Sequence, residues 1–343
     1  MDHFVGIDVS LELSSVCILD ATGVMVKEAK VASEPEALTT FLTRLDLPLT
    51  RIGLEAGPLS QWLHAALVKA GFEAVLLETR QVKAALSAMI VKTDRRDARG
   101  IAHLLRMGWF RPVHCKSAPA QEVRALLVAR KQLQAKMRDV ELSLRGLLRG
   151  FGLKVGEVSK GQYATRVRTL VAGHAMLEQI AEAMLHAREA LRTEFGKLHR
   201  AMLAIVRTDE VCRRLMTVPG VGALVAVTFT SGVDAPERFS RSRAVGAHFG
   251  LTPKKYQSGE TDITGAVSRV GDVMVRTALY EAAHILLTRA VRFSSLKRWA
   301  LEVAKRRGMR RAKVALARKL AVILHRIWVE GTTFRWGREV AAA

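Results

Sequence analysis

The pattern of apolar residues changes character near residue 116, and that change limits the folds open to this chain more than any other feature. Up to residue 115, strand-like and helix-like patterns alternate. FVGIDVS (4–10) and SSVCILD (14–20) are β-branched apolar runs, and Ala21-Thr22-Gly23 makes a hairpin-type turn into VMVKEAKVA. A helical stretch at 34–46 precedes the short strand RIGLEAG (51–57), and a helix from Ser60 to Ala70 precedes FEAVLLE (72–78). QVKAALSAM and DARGIAHLLRM close the region as helices. Strands first paired by hairpins and then interleaved with helices predict an α/β domain with a mixed sheet over 1–115.

From 116 to 208 the strand signal vanishes. Leu126, Leu127, Leu133, Met137, Val140, Leu144 and Leu147 recur at three- and four-residue steps, and so do Leu177, Ile180, Met184, Leu191, Phe195, Leu198 and Met202. The Gly-containing break RGFGLKVGEVSKG (149–161) separates the two runs, so a long antiparallel helical hairpin, a coiled coil, is predicted. Residues 209–343 form a third, mostly helical region. Pro219-Gly220-Val221-Gly222 lies between two helical patterns there, resembling a helix-hairpin-helix turn in which glycines let backbone amides approach a phosphate. A helical tract from Arg289 to Lys319 carries twelve Lys/Arg against one acid, Glu302. So one-sided a run reads as a phosphate-contact surface, with Arg306, Arg307, Arg310, Arg311 and Lys313 as its candidates. The expected architecture is α/β plus all-α.

The chain's 343 residues suffice for two or three domains, and 49% hydrophobic content is that of a protein with packed cores. No run approaches the roughly 18 apolar residues of a membrane span, and MDHFVGIDVS has neither basic n-region nor apolar h-region. Cys17, Cys115 and Cys212 are odd in number and far apart, which excludes a disulfide framework and paired-cysteine zinc motifs and fits a reducing cytoplasm. The net charge of +22 attracts polyanions, and nucleic acid is the favoured partner. The sequence also lacks the G-x-x-x-x-G-K-[ST] phosphate loop and H-E-x-x-H spacing, so ATP-driven and zinc-dependent chemistries find no support.

Four carboxylates carry the chemical signal. Asp8 sits near the end of the first apolar strand, and Glu55 ends another just before Ala-Gly-Pro. An acid in an apolar strand is costly when buried without a partner, so each invites a functional reason. Asp94 and Asp97, in VKTDRRDARGIAHLL, share one face at the start of a helix as i and i+3 neighbours. Helix capping or the helix dipole accounts for either one alone. The ordered set, a strand Asp, a strand-end Glu and a helical D-x-x-D within a hundred residues, is far more specific. Hard oxygens from separate elements are what two Mg²⁺ ions about 4 Å apart require in phosphodiester chemistry.

GIDVS, LEAGP and KTDRRDA, in that order, resemble the DEDD insertion-sequence transposases, whose N-terminal domain has the ribonuclease H-like fold of Holliday-junction resolvases. MTVPGVG (216–222), FSRSRAVGAHFGLTPKKYQSGE (239–260) and GAVSRVGDVMVRTALYEAA (265–283) resemble that family's C-terminal domain. The resemblance spans nearly the whole chain. It implies that Asp8, Glu55, Asp94 and Asp97 bind Mg²⁺ and that Ser258 is a nucleophile joining covalently to DNA, with Lys254 and Lys255 neutralising phosphate beside it. It also implies element ends and a target as DNA partners, a structured guide RNA encoded by the element, and a homodimer or homotetramer at the cytoplasmic nucleoid. Tyr256 is placed to help position DNA, and Ser268 is a weaker second hydroxyl. A plain metal-dependent nuclease of the resolvase type, with water as nucleophile, is the alternative that the carboxylates alone allow. His103-Leu-Leu-Arg106 has the H-x-x-R spacing of tyrosine recombinases, but none of Tyr163, Tyr256 and Tyr280 completes that pattern.

Overall fold

In the computed structural model, which describes residues 2–87, 93–290 and 292–336, the chain divides into two units, Met1–Lys116 and Ser117–Ala343. The first unit runs β1 (His3–Asp8), β2 (Leu13–Asp20), β3 (Met25–Ala32), α1 (Pro35–Thr43), β4 (Leu49–Glu55), α2 (Ser60–Lys69), β5 (Ala74–Leu77), α3 (Thr79–Leu86), α4 (Asp94–Arg106) and β6 (Pro112–Val113). Its sheet has the order β3-β2-β1-β4-β5-β6. The first three strands are antiparallel, β1, β4 and β5 are parallel, and β6 closes the edge antiparallel to β5. This is the mixed sheet expected of a ribonuclease H-like domain. Ala88 and Met89, the end of the helix predicted over QVKAALSAM, lie outside the described residues.

Local chemistry fixes these elements. Asp20 Oδ1 accepts from the backbone N–H of Thr22, Gly23 and Val24, each at 2.9 Å, and Gly23 takes φ +93°, closing the β2–β3 turn. β3 is an edge strand whose Lys27, Glu28 and Lys30 discourage pairing with another sheet. Period-two alternation then splits the central strands between two faces. Val5, Ile7, Ile52 and Leu54 pack with Leu38, Leu42, Leu63 and Leu67 of α1 and α2. Phe4 joins Ile101, Leu104 and Leu105 on the opposite face, beneath α4.

The second unit continues through α5 (Ala118–Arg149), α6 (Tyr163–Val171), α7 (Ala175–Thr208), α8 (Glu210–Leu215), α9 (Ala223–Val233), α10 (Arg243–His248), β7 (Pro253–Ser258), β8 (Thr261–Val267), α11 (Val273–Thr288), α12 (Ser295–Arg307) and α13 (Met309–Glu330). α5 and α7 are antiparallel neighbours, held by Arg188 Nε to Glu141 Oε1 at 2.6 Å and Arg130 Nε to His199 Nδ1 at 3.2 Å. The Gly-containing break between them folds further than the sequence pattern predicts. It is followed, before α7 begins, by α6, whose Tyr163, Val167 and Val171 build a small core with Leu144, Leu148 and Leu185. α9 is buried from Val225 to Val233, as a central helix should be, and the bases of α5 and α7 join its core through Leu127, Met202 and Val206. The tract predicted as helical over 289–319 is not one helix: its described residues before Ser295 lie outside α11 and α12, and it is broken again at Gly308, φ +80°, where α12 hands over to α13.

Candidate active site

The first four candidates lie on three elements of the first unit, β1, β4 and α4. Since Ile7 and Leu54 face α1 and α2, Asp8 and Glu55 face the α4 side, as do Gly6 and Gly53. Parallel pairing of Ile7 with Leu54 sets Asp8 and Glu55 at one height, at the C-terminal ends of adjacent strands. α4 crosses this face in direct contact with β1. A Cβ on Gly6 would overlap the Ala98 carbonyl oxygen, so a residue without a side chain is required there. At the far end of the helix, Arg106 Nη1 donates to the Ala21 carbonyl at 3.4 Å, in the turn beside the His3 end of β1. α4 therefore runs antiparallel to β1, with its N-terminus above Asp8. The first turn of α4, with Asp94, thus lies towards the Asp8 end of β1.

The N-cap of α4 is Thr93, whose hydroxyl accepts from Arg96 N at 3.3 Å. Neither Asp94 nor Asp97 serves as the cap, which removes one ordinary explanation for the pair. Both stand in the first turn, where the helix N-terminus favours negative charge. Asp94 is exposed, whereas Asp8, Glu55 and Asp97 are half-buried. Ser15 pairs with Asp8 across β1 and β2, and its buried Oγ has no hydrogen-bond partner among the described residues. A stranded hydroxyl costs about 1–3 kcal/mol, and this one stands opposite Asp8 in the sheet. Sequence reasoning missed Ser15 because a serine in a strand carries no signal of its own. Among the described residues no three His, Cys, Asp or Glu side chains are gathered closely enough to hold a metal ion. The donor set, carboxylate oxygens on three elements at one end of a sheet, nonetheless fits a hard divalent cation.

Ser258 lies in the second unit, at the end of β7. The segment around it is an exposed two-stranded hairpin in which Ser258 pairs with Thr261 across Gly259-Glu260. Gly259 supplies the positive φ, +53°, that a Gly-first two-residue turn demands. Lys254, Lys255 and Tyr256 are exposed on the same strand, but Lys255 Nζ is 3.1 Å from Asp262 on β8, so its charge is partly met within the hairpin. The base of the hairpin is clamped. Ser268 N donates to Thr252 O at 2.8 Å, and Arg276 of α11 ties the two legs by donating to Phe249 O at 3.1 Å and Val270 O at 2.8 Å. Gly250 and Gly271 both have positive φ, and a Cβ on either would overlap backbone of the opposite leg. Asp272 caps α11 by accepting from Met274 N at 2.8 Å and Val275 N at 3.1 Å, and it pairs with Arg124 of α5. The GAHFGL and SRVGD segments thus anchor the hairpin that carries the serine, a positioning role that spacing in the sequence does not reveal. Ser268, the weaker alternative, has a buried Oγ without a partner among the described residues at this base.

The remaining candidates separate by setting. Arg306 and Arg307 end α12, where cations suit the helix dipole, but Arg310 and Arg311 begin α13, where they oppose it. That opposition makes the second pair better evidence for an anionic partner. Lys313 is half-buried on α13. His103 and Arg106 sit towards the end of α4 that leads away from Asp8, and burial, reinforced by Arg106 and Arg99, pushes the His103 imidazole below its ordinary pKa. The H-x-x-R spacing is therefore part of the helix-on-sheet packing. Burial likewise pushes the Cys17 thiol, under α4, up to about 11, keeping it neutral. In the turn before α9, a Cβ on Gly220 (φ +85°) would overlap the Ala282 carbonyl oxygen, whereas one on Gly222 would meet open space. The first glycine is there for packing against α11.

Residues 5–152 match a family model described as a transposase, the DEDD type of IS110. Residues 212–299 match a second, described as the transposase IS116/IS110/IS902 family. Over 97% of this chain and 91% of the relative, the sequence is 28% identical to the transposase for insertion sequence element IS1111A of Coxiella burnetii. It is also 28% identical to the transposase for insertion sequence element IS1328 of Yersinia enterocolitica, over 41% of this chain and 42% of that one. Among solved structures, T. thermophilus RuvC in complex with a Holliday junction substrate is similar over 33% of this chain and 100% of that chain, with 16% identity and a TM-score of 0.26.

Proposed function

Because this chain belongs to the IS110/IS116 family of insertion-sequence transposases, we propose that it cuts and rejoins DNA through a covalent link to Ser258, with Asp8, Glu55, Asp94 and Asp97 as its metal-binding set. What supports this reading is that Asp8 and Glu55 end adjacent parallel strands on the sheet face that α4 covers, so closely that only a glycine fits at position 6. Bound there, Mg²⁺ would neutralise charge building on the scissile phosphate. Ser258 Oγ then bonds to phosphorus while the bond to the departing strand breaks, and that strand's oxygen takes the hydroxyl proton. The phosphoserine link conserves the bond for rejoining by a second strand. Lys254 and Lys255 offset the phosphate charges beside it.

The substrates in this reading are the element ends and a target duplex, chosen with a structured RNA encoded by the element. Two duplexes require at least a homodimer and favour a homotetramer, acting at the nucleoid in the cytoplasm. No helix among the described residues is long and apolar enough to cross a membrane.

The experiment is a trapping reaction. Purified protein, co-purifying RNA, element-end DNA and Mg²⁺ should give a denaturation-resistant protein–DNA adduct that Ser258→Ala abolishes. Cleavage by the Ser258→Ala protein at an unchanged rate, with no adduct in either protein, would instead establish water as the nucleophile. That second reading is favoured by one fact: all four carboxylates lie within Met1–Lys116.

A further inference from the structure

Within the second unit, a cleft of about 990 Å³ opens between the base of the β7–β8 hairpin and helices α12 and α13. Its size is at the upper end of the roughly 300–1,000 Å³ typical of ligand sites. Leu251, Val314 and Val322 give it an apolar wall, and Trp299 closes one side. Around that wall stand Arg243, Arg310, Arg311, Arg318 and Lys319, and no acid lines the cleft among the described residues. Five cations facing one cavity repel one another, so the arrangement is stabilised by a bound anion.

Two details indicate that the cations are placed by design of the fold. Lys319 Nζ rests 4.0 Å from the Trp299 ring centroid, which holds the ammonium at the cleft rather than in open solvent. Gly246 of α10 leaves room for Arg318, since a Cβ there would come within 2.9 Å of the Arg318 Cγ. Arg310 and Arg311 stand against the dipole of α13, as noted above, and gain from an external negative charge.

An apolar wall with an aromatic side, bordered only by cations, complements a nucleotide whose base has left the stack. Duplex DNA presents phosphates to such a rim but keeps its base faces covered, whereas an unpaired nucleotide satisfies both the rim and the wall. We propose that this cleft seats an unstacked nucleotide of a DNA strand, its base against the Leu251–Val314 wall and its phosphates on the arginine rim. The proposal rests on the reading of this chain as a DNA-acting transposase, and not on Ser258 as the nucleophile. Pro253, on the cleft wall, and Ser258, at the hairpin tip, are separated along β7 by about 17 Å. A seated nucleotide therefore holds its strand close to the hairpin that carries the serine.

The test compares a fluorescently labelled single-stranded oligodeoxynucleotide with the duplex of the same sequence, titrated against full-length protein at fixed salt. Ala315→Trp fills the cleft from α13 and Thr264→Trp fills it from the exposed strand β8; neither alters charge. Each should weaken single-strand binding about ten-fold or more, the loss of one seated base, and leave duplex affinity within about two-fold. Unchanged single-strand affinity in both variants, with duplex binding intact, overturns the cleft and spares the wider reading. A wild-type protein that binds neither form overturns both. If an RNA strand of the same sequence responds to the two variants and the DNA strand does not, the assignment to DNA is wrong.

Discussion

The carboxylate end of the first sheet and the serine hairpin of the second unit are built on opposite plans. Asp8 and Glu55 end central strands, and α4 lies so close above them that Gly6 has no space for a methyl group. Ser258 ends an exposed strand, and a Cβ on the neighbouring Gly259 would touch nothing within 4 Å. One region is held by close packing of helix on sheet, and the other is clamped at its base by Arg276, Gly250 and Gly271. The difference suits the two tasks. Ligands that bind a cation and stabilise charge work best when held in place beforehand, whereas a nucleophile that must reach a phosphate on a large substrate gains from access.

The largest effect should come from charge at the rigid end. Asp8→Asn and Glu55→Gln each remove a carboxylate while keeping its volume, and DNA cleavage should fall at least about a thousand-fold, the several kcal/mol that charge stabilisation contributes. Thermal melting should stay within a few degrees of the wild type, since neither acid is fully buried. Cleavage at near-normal rates in both variants would remove the rigid end from the chemistry altogether.

Next comes packing, read through a matched pair of glycines. Gly6→Ala forces β1 and α4 apart through backbone atoms, and overpacking of this kind costs about 1–3 kcal/mol or more. Gly259→Ala meets no neighbour and bears only the positive φ, about 1 kcal/mol confined to the hairpin. Urea unfolding of the two variants should rank them in that order. The reverse ranking would mean that the hairpin, and not the sheet, is the tightly determined element.

How much of this was legible in the sequence depends on periodicity. The alternation Phe4-Val5-Gly6-Ile7-Asp8 marks both a strand and the face on which its acid lies, and the D-x-x-D pair announces a helix start. The β7–β8 hairpin gave no such pattern, because Lys254, Lys255, Tyr256 and Gln257 are exposed on both faces and so obey no alternation. α6 was hidden just after the glycine-containing break, because its nine residues are too few to establish a helical period. Ser15 became visible only through its register with Asp8. The cleft draws on residues from Arg243 to Val322, a juxtaposition that only the folded chain produces.

The clamp should yield a smaller, localised effect. Gly271→Ala places a Cβ against the His248 carbonyl oxygen at φ +69° and should loosen the hairpin legs. Amide exchange within 250–271 should accelerate, with protection in α9 retained, and global stability should drop by about 1–3 kcal/mol. Faster exchange spread evenly over the second unit would show that the hairpin is part of the core and not an attachment to it.

The smallest effect tests whether the exposed hairpin contributes charge to DNA binding. Lys255 and Asp262 form a surface pair at 3.1 Å with more than half of each side chain exposed, so breaking it should change stability by no more than about 1 kcal/mol. DNA affinity should respond more clearly, and in opposite directions. Lys255→Gln removes one phosphate contact, lowering the slope of log affinity against log salt by about 1. Asp262→Asn releases Lys255 from its partner and should tighten binding at low salt, with the gain fading as salt is raised. If both substitutions leave the salt slope unchanged, Lys255 faces no phosphate, and the hairpin presents its serine without electrostatic help from that side chain.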